Sequence, residues 1–164
     1  MAWQRYLAWS GLAHLREVVT LDTILCPTVP EELTPEDWRY NVHADYQTGY
    51  FRSLDYLRTR VAGERGIHIL AIMREPSHDD TARGAPPGFE WLGYDVLDVC
   101  GDVSALTNCG GWDGLVVPSA VSSLGLLTEL EQAVQLRRTL RLEHPGESHA
   151  ECDIWAVWRL AEAT

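Results

Sequence analysis

Lysine is absent from this 164-residue chain, whose 13 basic side chains are all arginine. That excludes Schiff-base chemistry and any phosphate-binding loop built on a lysine; codon bias in a GC-rich genome is sufficient cause. Positive charge is also scarce, with 24 acidic residues against those 13 and a formal charge of −11. A nucleic-acid binder must displace condensed counterions from phosphates, and one short basic run (Arg137, Arg138, Arg141) equips the chain poorly for that. No apolar run reaches the length of a membrane span, and Arg5, Arg16 and Glu17 crowd the N-terminus too closely for a signal-peptide core. The expectation is a cytosolic chain, neither exported nor membrane-bound. Close cysteine pairs are lacking as well. Cys26, Cys100, Cys109 and Cys152 are irregularly spaced without a CxxC, which reads as free thiols in a reducing compartment and offers no pre-assembled metal site.

What is present matches a globular protein. Apolar residues make up 46% and charged residues 23%, close to the averages for soluble domains. The length suits one domain over residues 1–164, large enough to bury roughly two thirds of its unfolded surface without a staple. No cofactor is implied.

Turn signals and hydrophobic periodicity divide the chain into elements. "REVVTLDTILCP", residues 16–27, has the β-branched density of a strand. Thr34, Pro35, Glu36 and Asp37 form a helix start, and apolar side chains recur every three or four residues from Trp38 through Val42, Tyr46, Tyr50, Leu54 and Leu57 to Val61. That predicts a helix of about seven turns, ended by Gly63 and Gly66. Gly66–Met73 reads as a central strand, Arg74–Gly88 as a loop of unusual length, and Phe89–Val99 as a strand forming a hairpin with the one before it. A second helix begins between Pro118 and Leu126 and stops before Pro145. Its apolar face is Leu126, Leu130, Val134 or Ala133, and Leu140, and its last turns carry the arginine cluster. Glu151–Leu160 alternates as a well-buried last strand, with Cys152, Ile154, Ala156, Trp158 and Leu160 on one face. The order implies an α+β fold, a mostly antiparallel sheet with two helices on one face in ferredoxin-like βαββαβ order.

Three groups of residues invite a chemical reading. In "LTNCGGWDG" a thiol precedes two glycines. Cys109 as nucleophile, His149 as base and Asn108 assisting at an oxyanion is the arrangement a thiol-dependent hydrolase or transferase would need. The simpler account is a glycine-rich turn holding a small residue. Asp95, Asp98, Asp102 and Asp113 crowd the third strand and its exit; the strand spacing of the first two sends them to opposite faces, so they read as solvated charges and turn formers. Among seven tryptophans, Trp112 sits in the glycine-rich loop, where a large ring either caps a core or anchors a partner. Trp112, Asp113, Asp79 and Asp80 are therefore the candidate partner-binding residues.

A small, acidic, lysine-free chain without a decisive catalytic motif is similar in general character to bacterial immunity or antitoxin proteins, which cover the active site of a basic toxin. That likeness implies a binding protein with a basic protein partner. The alternatives are the Cys109 enzyme and a ligand-binding or self-assembling ferredoxin-like module.

Overall fold

The computed structural model describes residues 12–16, 35–40, 53–60, 62–63, 67–82, 84–98, 104–106, 116, 118–146 and 148–161. Their elements run β1 (Leu12–Arg16), α1 (Pro35–Tyr40), α2 (Leu54–Arg60), β2 (Ile67–Arg74), α3 (His78–Ala82), β3 (Phe89–Asp98), α4 (Leu130–Glu143) and β4 (Cys152–Leu160). The three long strands and the short β1 make one antiparallel sheet in the order β1-β2-β4-β3.

This order overturns the expected ferredoxin-like layout. The described residues hold more than two helices, and β2 and β3 do not form a hairpin, because β4 lies between them and pairs with both. The cause lies in β4 itself. Ile154, Trp155, Ala156, Val157 and Trp158 are each at most 4% exposed, so both faces of the strand are apolar and both must be covered. Such a strand is most stable in the middle of a sheet, hydrogen-bonded along both edges.

The central position of β4 also accounts for the long connection. Both β2 and β3 run antiparallel to β4, hence parallel to one another. The first ends at Arg74 beside Trp155, whereas the second starts at Phe89 beside Leu160. The chain has to travel back along β4 and step across it, and a crossover between parallel strands needs a dozen or more residues. Residues 75–88 supply them. They are not a plain loop, since α3 stands in their middle, its start held by Ser77 and Asp80: the Ser77 hydroxyl and N–H donate to Asp80 Oδ2, and Asp80 N–H donates back to Ser77 Oγ.

Two other expectations are corrected. The continuous seven-turn helix is interrupted at Ser53, which is non-helical and whose hydroxyl accepts the N–H of Tyr56, opening α2 afresh. A local cap there overrides the apolar stripe that runs through it. Residues 41–52 lie outside the described residues, while Gly63, at φ +85°, fits the predicted helix end. The first described strand, β1, is Leu12–Arg16, and the rest of the predicted strand over 16–27 lies outside the described residues. Helix α4 starts at Leu130 rather than by Leu126, because Ser122 bends the preceding segment into a tight turn: its Oγ accepts the N–H groups of Leu124 and Leu126. Gln132 Oε1 then reaches back to the Glu129 N–H at 3.3 Å and closes the helix start.

The predicted alternation of β4 holds. Cys152, Ile154, Ala156 and Trp158 pack with Leu57 of α2 and with Leu130, Ala133, Leu136 and Leu140 of α4 in the larger core, while Trp155 and Val157 join Leu70, Ile72, Leu97 and Leu126 in a second cluster. Of the two choices offered for α4, Ala133 faces inward and Val134 is 44% exposed. The outer edge of β3 is protected by segments that follow it in the chain. Tyr94 and Leu127 exchange two backbone hydrogen bonds of 2.7 and 2.9 Å, and Ala105 donates to the Val96 carbonyl at 2.8 Å.

Candidate functional site

A strand of regular pleat would send Trp91 and Tyr94, three residues apart, to opposite faces. In β3 they share one face, because the register slips between Trp91 and Gly93 and the extra residue reverses the alternation. Only glycine fits at this bulge. Gly93 has φ +148°, and a Cβ there would lie 2.7 Å from both the Leu126 side chain and the Leu127 carbonyl oxygen.

The slip assembles three rings. Trp91 meets Tyr94 edge-on, centroids 4.7 Å apart at 70°, and meets Trp158, directly across on β4, at 5.2 Å and 62°. Tyr94 and Trp158 are buried, while Trp91 is 41% exposed. With Gly84 and Ala85 from the crossover and Thr128 from the approach to α4, the rings line an open cleft of about 270 Å³. A shallower groove of about 360 Å³ runs beside α4, between Val116, Ala120 and Leu127 and the polar side chains Glu131, Gln135 and Thr139.

The same reversal places Asp95 on the other face, opposite Trp155 and fully buried. Ser104 Oγ donates to Asp95 Oδ1 at 2.7 Å and itself accepts the Leu106 N–H, whereas Oδ2 finds no hydrogen-bond partner. Burial pushes the pKa of this carboxyl up to about 7, against the smaller opposing pull of the hydrogen bonds from Ser104 and the Val96 backbone. Asp95 is thus a protonatable core residue and not the solvated charge expected from its spacing.

Elsewhere the arginines are turned onto the chain's own groups. Arg137 of α4 pairs with Glu75, whose Oε1 also accepts the Ile154 N–H at 2.9 Å; Glu75 holds this position at φ +51°. Burial alone would raise the Glu75 pKa, yet the Arg137 guanidinium and the Ile154 N–H outweigh it and hold the carboxyl below its ordinary range. Arg74 Nε donates to Asp153 at 2.6 Å, and Arg159 and Arg58 pair with Glu90 and Asp55 at 3.4 and 3.9 Å. Arg141 donates to the Cys152 carbonyl at 3.2 Å. Exposed Asp79, Glu143 and Glu151 form no ion pair among the described residues.

Of the residues singled out by sequence, Asn108, Cys109, Trp112 and Asp113 lie outside the described residues. His149 belongs to the 3-10 turn Ser148–Glu151 that leads from α4 into β4. Asp79 and Asp80 share α3, the first exposed and the second buried against Ser77. The thiol of Cys152 is buried, which pushes its pKa up and away from nucleophilic use. Sequence reasoning missed the ring cleft, although an isolated glycine within a strand pattern, here Gly93, is the signal for a bulge. Among the described residues no helix is long and apolar enough to cross a membrane, and no group of three His, Cys, Asp or Glu side chains is placed to hold a metal ion. No protein-family model, no curated protein and no solved structure matches the chain.

Proposed function

We propose that this chain is an acidic binding protein that engages a basic protein partner, in the manner of an immunity or antitoxin protein, and that it acts in the cytoplasm, where four irregularly spaced cysteines stay reduced. The observation that supports this is the disposition of charge. Arg58, Arg74, Arg137 and Arg159 are paired with carboxylates of the same chain, so the surplus of −11 is borne by side chains such as Asp79, Glu143 and Glu151 that point into solvent. A surface of that kind steers a cationic protein toward contact and repels acidic competitors.

The test is calorimetric titration with octa-arginine, with octa-glutamate as control. Saturable binding of the cationic peptide, weakening steeply between about 50 mM and about 300 mM salt, is expected. Binding that is absent, or indifferent to salt, would sink the proposal. The product of the adjoining gene is the natural second titrant.

A further inference from the structure

We propose that the segment Ser104–Leu106 is a pH-sensitive latch on the outer edge of β3, closed while Asp95 holds its proton and released when Asp95 ionises. Asp95 and Ser104 are its pivot. They are 0% and 1% exposed, and the Ser104 hydroxyl that donates to Asp95 Oδ1 at 2.7 Å also accepts the Leu106 N–H at 3.0 Å. Between these bonds Ala105 donates to the Val96 carbonyl at 2.8 Å, and Ser104 faces Leu97 in a short antiparallel bridge. One carboxyl thus helps to tie three residues to the strand.

The surroundings suit a neutral carboxyl and not a carboxylate. An ion taken out of water needs a cation or several donors about both oxygens, whereas Asp95 has the Ser104 hydroxyl and the Val96 backbone, and its Oδ2 has no hydrogen-bond partner. Among the described residues, the ionisable groups on this face of the sheet lie elsewhere in the register. Arg74 of β2 and Asp153 of β4 pair with one another, and Trp155 stands between Arg74 and Asp95. Glu90 and Arg159 pair toward the opposite end of β3 and β4, and His68 lies further along β2 from Arg74. The segments that line the outer edge of β3, residues 104–106 and 122–127, contain no ionisable side chain.

A charge on Asp95 is relieved most cheaply on that outer side. The inner edge of β3 is paired with β4 from Phe89–Leu160 to Asp98–Cys152, so reaching water there would unzip the sheet. Outside, one backbone hydrogen bond and the Ser104 hydroxyl hold the latch among the described residues. Burial lifts the pKa of the closed form to about 7, against an ordinary value of 3.8 once Asp95 meets water. Opening is therefore least favoured below the lower value, grows as pH rises toward the upper one, and levels off beyond it.

Amide hydrogen exchange, followed by NMR from about pH 4 to about pH 8 and corrected for the intrinsic pH dependence of exchange, tests the latch. Opening reported by the Ala105 and Leu106 N–H groups should rise on the order of a hundredfold between about pH 4 and about pH 7. It should exceed throughout that of Ala156 and Val157, which have a partner strand on each side. In Asp95→Asn the rise should vanish. Ser104→Ala, which removes the tie and leaves the carboxyl, should increase opening at every pH, and it serves as the test if Asp95→Asn fails to fold.

Exchange of Ala105 and Leu106 at the same rate as Ala156 and Val157 across the range would overturn the latch, because Asp95 would then reach water only when the whole sheet unfolds. A pH-independent opening in wild type would do the same. So would a rise that persists in folded Asp95→Asn, or an Ala105 N–H indifferent to Ser104→Ala.

Discussion

Glu75 and Asp95 are carboxyl groups in register with neighbouring positions of β4, yet their environments drive them in opposite directions. Glu75 follows the end of β2, half open to solvent, with the Arg137 guanidinium and the Ile154 N–H on its oxygens, and its pKa is lowered. Asp95 is sealed in the sheet's other face with only neutral partners, the Ser104 hydroxyl and the Val96 backbone, and its pKa rises to about 7. Burial works against ionisation in both; what separates them is whether a cation arrives with the burial. A partly buried carboxyl with a cation becomes a clasp, here between α4 and the end of the sheet. Without one it becomes a proton-holding group that weakens the fold when it ionises.

The largest test of this contrast is Asp95→Asn. Asp95 keeps its proton in the folded state up to about pH 7 but loses it near 3.8 when unfolded. Its contribution is therefore full below the unfolded value and declines as pH rises through this window, by on the order of 4 kcal/mol. Urea unfolding across that range should show the decline in wild type and a flatter profile in Asp95→Asn.

Next in size is Gly93→Ala, which attacks the bulge that sends Asp95 inward and Trp91 toward Tyr94. The clash with Leu126 and Leu127 should cost about 3 kcal/mol, with a change in the near-ultraviolet circular dichroism of the coupled rings. Smallest is Arg137→Ala. Glu75, at φ +51°, would keep its place without its cation, so its lowered pKa should move up. Because Glu75 is about half open to solvent, the loss at neutral pH should be only about 1 kcal/mol. That stability is present above the unfolded carboxyl pKa and vanishes as pH falls through the lowered folded one, so the variant and wild type should converge in acid. Urea midpoints at neutral and acidic pH would show it.

Much of the local structure was legible. The alternation from Cys152 to Leu160 announces a strand buried on both faces, and Gly63 announces a helix end, because these signals depend on pleat geometry and backbone sterics that act over a few residues. Ser53 shows where local signals conflict: its hydroxyl cap starts a new helix in the middle of a stripe that periodicity alone reads as continuous. The ring cleft was half legible. Gly93 marks a bulge, but that the bulge would set Trp91 beside Trp158 depends on the register with a strand more than sixty residues away.

The amino-acid sequence by itself determined the charge imbalance, the absence of lysine, and the strand character of β2, β3 and β4, since composition and short-range periodicity need no partner to be expressed. Only the tertiary structure decided that β4 divides β2 from β3, that Arg137 closes on Glu75, and that three rings from two strands share one cleft. Those outcomes turn on which apolar faces must be covered and by what. That choice is made by packing between segments distant in the chain, and no window of neighbouring residues contains it.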